Sequence, residues 1–288
     1  MDARRPLLAV CVVVAIAGAV QAQWLNYPTP GIPRLPDGKP NLAAPPPRLA
    51  DGTPDLSGLW ATACPAGTQE PGCPPNEKRL FFNLAKDLKP SDVEPTPWAA
   101  AIQRQRESRD HVDDPYGYCL PPGMPRIHFV GLYRILQAPG VTAFLHETGA
   151  GLMFRQVFTD GRPLPTVTEP TWLGYSVGRW QGDTFVVETA GFRDRGWLDA
   201  LKARPHSDAL HVTERFTRRD FGHIDLAITI DDSKAFVRPW TVNAVLTLKA
   251  DTEILESFCD NHDKSMEHRR ITAPPPEPPS SDVPGSVR

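Results

Sequence analysis

From Gly131 to Phe258, apolar and polar residues alternate in short runs, with a residue suited to turning the chain between most of them. The runs cover 132–137, 141–147, 152–158, 175–180, 184–189, 210–218, 223–230, 238–248 and 253–258. Alternation with period two places one face of each run toward a core and the other toward water. Ala138-Pro139-Gly140, Thr159-Asp160-Gly161, Gln181-Gly182-Asp183, Asp220-Phe221-Gly222 and Ala250-Asp251-Thr252 each stand between two runs and read as hairpin turns. Short strands at this spacing predict an all-β fold, an antiparallel meander closing into a barrel or a sandwich. Gly58-Leu59-Trp60 is a candidate earlier strand, and Thr96 followed by Pro97 marks the start of one short helix over about 97–109.

The same alternation sorts the charges. A side chain in step with the apolar residues of its run is expected to face the interior. Glu147 keeps step with Val141, Ala143 and Leu145, Glu214 with Leu210, Val212 and Phe216, and Glu256 with Ile254 and Phe258. Arg134 keeps step with Leu132 and Leu136, Arg155 with Met153 and Val157, and Arg238 with Trp240 and Val242. Buried ions cost several kcal/mol each unless paired, so these groups are expected either to pair internally or to meet a ligand. Glu147 and Glu214 are the candidate general bases. Arg134, Arg155 and Glu256 are candidate ligand contacts, together with Trp240 and with His128, which follows the turn Cys119-Leu120-Pro121-Pro122-Gly123. His146 falls on the face opposite Glu147, beside Thr142 and Phe144.

Residues 1–22 read as an export signal: Arg4 and Arg5, an uncharged apolar run from Leu7 to Val20, and Val20-Gln21-Ala22 as the cleavage site. The run is shorter than the ~20 residues of a transmembrane helix, so a periplasmic or secreted protein is expected, with no membrane insertion after cleavage. Cys64, Cys73, Cys119 and Cys259 follow the leader. In an oxidising compartment an even number favours disulfides. Of three possible pairings, Cys64–Cys73 with Cys119–Cys259 closes a short proline-rich loop and staples two distant segments. Cys259 with His262 and His268 is the competing metal reading, but Cys-x-x-His lacks the second pair of a structural zinc site.

The 33 prolines crowd 28–54, 65–97 and 274–284. Residues 23–54 are expected to be a linker or wrap and 271–288 a disordered tail, flanking one β domain over 55–270. A net charge of −3 with both signs interspersed excludes a field that draws nucleic acid. Gly-x-Gly-x-x-Gly, the P-loop and His-Glu-x-x-His are all absent, so no cofactor or metal is expected. Gly174-Tyr175-Ser176-Val177-Gly178 matches Gly-x-Ser-x-Gly, but a nucleophile elbow needs a helix after the serine, and here a second strand follows.

The blocks Cys119-Leu120-Pro121-Pro122-Gly123-Met124-Pro125-Arg126, Thr159-Asp160-Gly161-Arg162-Pro163, Gly174 through Thr184, Glu214-Arg215-Phe216-Thr217 and Arg238-Pro239-Trp240-Thr241 occur in this order. In this the chain resembles a family of exported bacterial proteins without an assigned activity, over roughly residues 50 to 262. That family carries Tyr-Glu-Tyr-x-Cys near the last cysteine, where this chain has Leu255-Glu256-Ser257-Phe258-Cys259. Gly58-Leu59-Trp60 is similar to the Gly-x-Trp that opens lipocalin-type barrels, a likeness that implies a barrel with an interior cavity. The expected function is binding of a small amphipathic ligand in a polar-lined cavity. The alternative is a cofactor-independent hydrolase or isomerase using an inward glutamate.

Overall fold

A computed structural model of the chain describes residues 27–64, 73, 75–166 and 169–259. The expected leader at 1–22 and tail at 271–288 lie outside the described residues. Nine strands close into a barrel in chain order: β1 (Gly58–Thr62), β2 (Leu132–Ala138), β3 (Val141–Thr148), β4 (Gly151–Phe158), β5 (Tyr175–Gln181), β6 (Thr184–Ala190), β7 (His211–Arg218), β8 (His223–Asp231) and β9 (Trp240–Leu248). The barrel is therefore the form taken, and the candidate strand at Gly58-Leu59-Trp60 is present as β1. The run at 253–258 is not a strand. It lies beside β4, joined through Leu152 N to the Ser257 carbonyl at 3.1 Å.

An odd number of strands cannot alternate in direction all the way round a closed sheet, so one neighbouring pair must run parallel. That pair is β4 and β5, in register only at Val157↔Ser176 and Phe158↔Val177. β4 ends at Phe158 and β5 begins at Tyr175, a separation long enough for the return that a parallel pair requires. The meander expected from the sequence is thus broken once, and the first part of β4 has no ladder partner on its β5 side.

The interior is filled by Tyr133 and Ile135 of β2, Phe144 of β3, Phe185 of β6, Phe216 of β7 and the isoleucines of β8. One end is sealed by the arm at 27–56. The Arg218 guanidinium lies over Trp60, 4.9 Å from the ring centre, and donates to the carbonyls of Asp55 and Phe221. The arm itself is a tandem repeat. Pro-Arg-Leu-x-Asp-Gly-x-Pro-Asn/Asp-Leu occurs at 33–42 and again at 47–56. Each copy closes a small loop, Leu35 N to the Lys39 carbonyl and Leu49 N to the Thr53 carbonyl, both at 2.8 Å. In each, the arginine bonds a carbonyl of its own loop and forks onto a distant aspartate, Arg34 onto Asp251 and Arg48 onto Asp183.

The other end is covered by residues 75–131. Here α1 (Pro97–Ser108) starts as expected, with Thr96 Oγ1 accepting from Ala99 N at 3.3 Å. A 3-10 turn at Arg126–Phe129 follows, and Thr62 Oγ1 donates to the His128 carbonyl at 2.7 Å. Two disulfides hold this cover, Cys64–Cys73 and Cys119–Cys259, with Cα atoms 5.2 and 5.5 Å apart. This is the pairing expected from the spacing. Among the described residues no helix is long and apolar enough to cross a membrane.

Candidate functional site

Arg155 on β4 and Glu214 on β7 both point into the barrel and are buried. Arg155 Nη1 donates to Glu214 Oε1 at 3.0 Å and Nη2 to Oε2, while Nε donates to Ser176 Oγ at 3.0 Å and Nη2 to Thr189 Oγ1 at 2.7 Å. Ser176 and Thr189 are themselves bonded at 3.0 Å. The 3-10 turn at Arg126–Phe129 lowers His128 into the same space, with Nε2 2.5 Å from Glu214 Oε1. A carboxylate only accepts, so Nε2 carries the proton and Nδ1 is the free nitrogen. Burial alone would raise the Glu214 carboxyl, but the charges and hydrogen bonds of Arg155 and His128 hold it down at about 2.

Three rings continue the cluster. Tyr133 and His146 face each other across the β2–β3 ladder with ring centres 4.8 Å apart, and His128 lies 5.4 Å from Tyr133 and 5.7 Å from His146. His128 Nδ1, Tyr133 Oη and both nitrogens of His146 are buried without a hydrogen-bond partner among the described residues. Burial, then the nearness of His128 and Arg155, keeps His146 well below the ordinary imidazole value. Burial, then the Glu214 charge, keeps Tyr133 well above the ordinary phenol value. Both rings are neutral at physiological pH. Arg155 is forked onto Glu214, and the neutral Tyr133 and His146 rings beside that pair offer donors and acceptors.

The parallel pair gives the cluster an opening. Where β4 lacks a partner, a pocket of about 550 Å³ lies between β4 and the 171–176 segment. Its inner wall includes Met153, Arg155 and Ser176, and its mouth carries Leu152 and Phe154, 52% and 68% exposed, with Trp172 and Tyr175 opposite. Met153 stands directly across from His146 in the β3–β4 register. Met153, which lines the pocket, is thus the cross-strand neighbour of His146 and a flexible side chain.

Of the residues selected from the sequence, Arg155, Glu214 and His128 meet at one place, and the others do not join them. Glu147 and Arg134 point outward, correcting the expected orientation. Glu147 Oε2 accepts from Leu255 N at 2.8 Å, and Arg134 lines a shallow recess beside the arm. The outer face of β2 to β4 carries Leu132, Leu136, Ala143 and Leu145, so it is apolar enough to mimic a core face. Glu256 is exposed outside any strand, and Arg238 is exposed before β9, donating to the Ser91 carbonyl at 2.8 Å. Trp240 is buried against Phe236, ring centres 5.3 Å apart. Tyr133, His146, Ser176 and Thr189 went unselected. The signal for His146 was its step with Thr142 and Phe144.

Ser176 sits inside β5, and β6 follows without a helix. The flanking glycines serve packing: a Cβ on Gly178 would fall 2.5 Å from the Phe185 ring, and Gly174 has φ +67° against Thr189 and Phe192. Among the described residues no group of three His, Cys, Asp or Glu side chains is placed to hold a metal. Comparison with protein-family models, curated proteins and solved structures found no match to the chain.

Proposed function

We propose that the chain is an exported, periplasmic or secreted, binding protein for a small amphipathic molecule that enters through the β4–β5 seam. Its uncharged polar end meets Tyr133, His146 and His128 Nδ1, and its apolar part lies on Met153, Leu152, Phe154 and Trp172. The observation that carries this reading is the set of four buried polar atoms without partners beside an open, apolar-mouthed pocket. An unsatisfied buried polar group costs about 1–3 kcal/mol, and hydroxyl, carboxamide or protonated acid groups complement a neutral phenol and imidazole. The pocket volume falls within the range of small-molecule sites, and the two disulfides suit an oxidising compartment.

The test uses the neutral amphiphile N-phenyl-1-naphthylamine. A saturable rise in its fluorescence is expected, lost in Trp172→Ala and weakened in the Tyr133→Phe, His146→Leu double variant. Equal binding by all three proteins would overturn the assignment.

A second reading, catalysis, draws on the His128–Glu214 pair. A carboxyl held at about 2 is a poor base at neutral pH, so in that reading Glu214 orients His128 and Nδ1 takes the proton. The expected signature is loss of turnover in His128→Gln with ligand still bound.

A further inference from the structure

On the side of the barrel opposite the β4–β5 seam lies a second interruption. β1 pairs with β9 only at Leu246, Thr247 and Leu248, so the earlier part of β9 has no strand beside it there. Ala63 N donates to the Val245 carbonyl at 2.9 Å, beyond the last ladder pair of β1. The segment at 78–86 forms the facing wall, and between the two is a cleft of about 600 Å³. Phe81, Phe129 and Ala244 give it an apolar floor.

The charge of its lining is one-sided. Lys78, Arg79, Lys86 and Arg215 border the cleft, against a single carboxylate of the lining, Asp225; Lys86 is paired with Asp87 and Arg79 is buried, so the exposed rim cations are Lys78 and Arg215. That carboxylate is engaged by Arg219 Nη1 at 2.8 Å. Arg215 reaches Gln181 Oε1 at 3.2 Å, a neutral partner that leaves its charge in place. The Arg155 site, by contrast, has its charge cancelled by Glu214. Two pockets on opposite sides of one barrel thus ask for different chemistry.

We propose that the β9 cleft is a second ligand site, one that takes a small amphipathic anion, a carboxylate or sulfonate on an aryl or alkyl body. The apolar floor holds the body, and the basic rim holds the anionic group. Rim charges at this exposure act through a screened field, so binding weakens as salt is added.

The probe is 8-anilinonaphthalene-1-sulfonate, which carries the ring system of N-phenyl-1-naphthylamine plus an anionic group. Binding is followed by fluorescence titration in the full chain, its Lys78→Glu, Arg215→Glu double variant and Trp172→Ala. Lys78 and Arg215 are exposed, so thermal unfolding of the double variant should match the parent. The expected result is anilinonaphthalene sulfonate affinity lower by about tenfold or more in the charge-reversed variant, with N-phenyl-1-naphthylamine binding unchanged and both titrations saturable. Unchanged sulfonate affinity in that variant would overturn the proposal. Loss of sulfonate binding in Trp172→Ala would do so too, because it would place the anion at the other seam. Failure of the neutral probe alone would bear on the first site and leave this one standing.

Discussion

The Nε2 atom of His128 lies 2.5 Å from Oε1 of Glu214, and the same carboxylate is forked on its other side by Arg155. A loop histidine, a β7 glutamate and a β4 arginine, far apart in sequence, are thereby tied at the barrel centre. Removing one member leaves a buried charge without its partner.

Glu214→Gln is accordingly expected to destabilise the fold by about 3–5 kcal/mol at neutral pH. In the native barrel the carboxyl sits at about 2 against an ordinary 4.5. Above pH 4.5 the group is ionised in both folded and unfolded chains, and its contribution, about 3 kcal/mol, is complete. As the pH falls from 4.5 toward 2 the unfolded chain takes up a proton that the barrel refuses, and the contribution is lost. Urea midpoints across that range should fall less steeply for Glu214→Gln than for the parent. Parallel curves would contradict the paired geometry.

Tyr133→Phe and His146→Leu remove buried polar atoms that have no partner among the described residues. Each should raise unfolding stability by about 1 kcal/mol or more while weakening ligand binding, an exchange typical of residues kept for function. His146 adds a pH signature. Its ring is held well below 6.5 in the fold, so below pH 6.5 the unfolded chain binds a proton that the fold does not, and stability declines. His146→Leu should flatten that decline between pH 6.5 and 4.5. A loss of stability in both variants at neutral pH would show that the polar atoms already serve the fold.

Cys119 and Cys259 are 140 residues apart in sequence and join the cover to the end of the barrel. Cys119→Ser with Cys259→Ser should lower stability by about 2–4 kcal/mol, read from the urea midpoint. An unchanged midpoint would contradict the staple.

The arm repeat makes a local prediction. Arg34→Ala or Arg48→Ala removes the fork onto Asp251 or Asp183 at the protein surface. Global unfolding should be unchanged, and limited proteolysis within 27–56 should be several times faster. Unchanged proteolysis would mean that the loops hold without their arginines.

How much of this the sequence made legible differs from strand to strand. In β7 and β8 the outward positions are His, Thr, Arg and Asp apart from Ala227, so alternation alone named the inner face and selected Glu214. In β2 and β3 both faces are apolar and the same test chose the outer one, carrying Arg134 and Glu147 with it. Reading the hairpin as a unit resolves this. The tight Pro139-Gly140 turn sets Tyr133 opposite His146 and Ile135 opposite Phe144, and the set with the larger rings is the one buried. The parallel pair was not legible, because its cause is the parity of a closed ring and β1 left the strand count open. His128 was selected only as a loop residue, since no periodicity reports where a 3-10 turn will aim a side chain. The arm repeat is legible in the letters, although its proline content is that of a linker.

The most direct test of the binding assignment is the native mass of the chain purified after export from a bacterial host, compared with its mass after unfolding. The expected result is a small neutral adduct that leaves on unfolding and is missing from the Tyr133→Phe, His146→Leu double variant. A bare native mass for the parent that stays bare after incubation with extracts of the host, or an adduct held equally by the double variant, would contradict it.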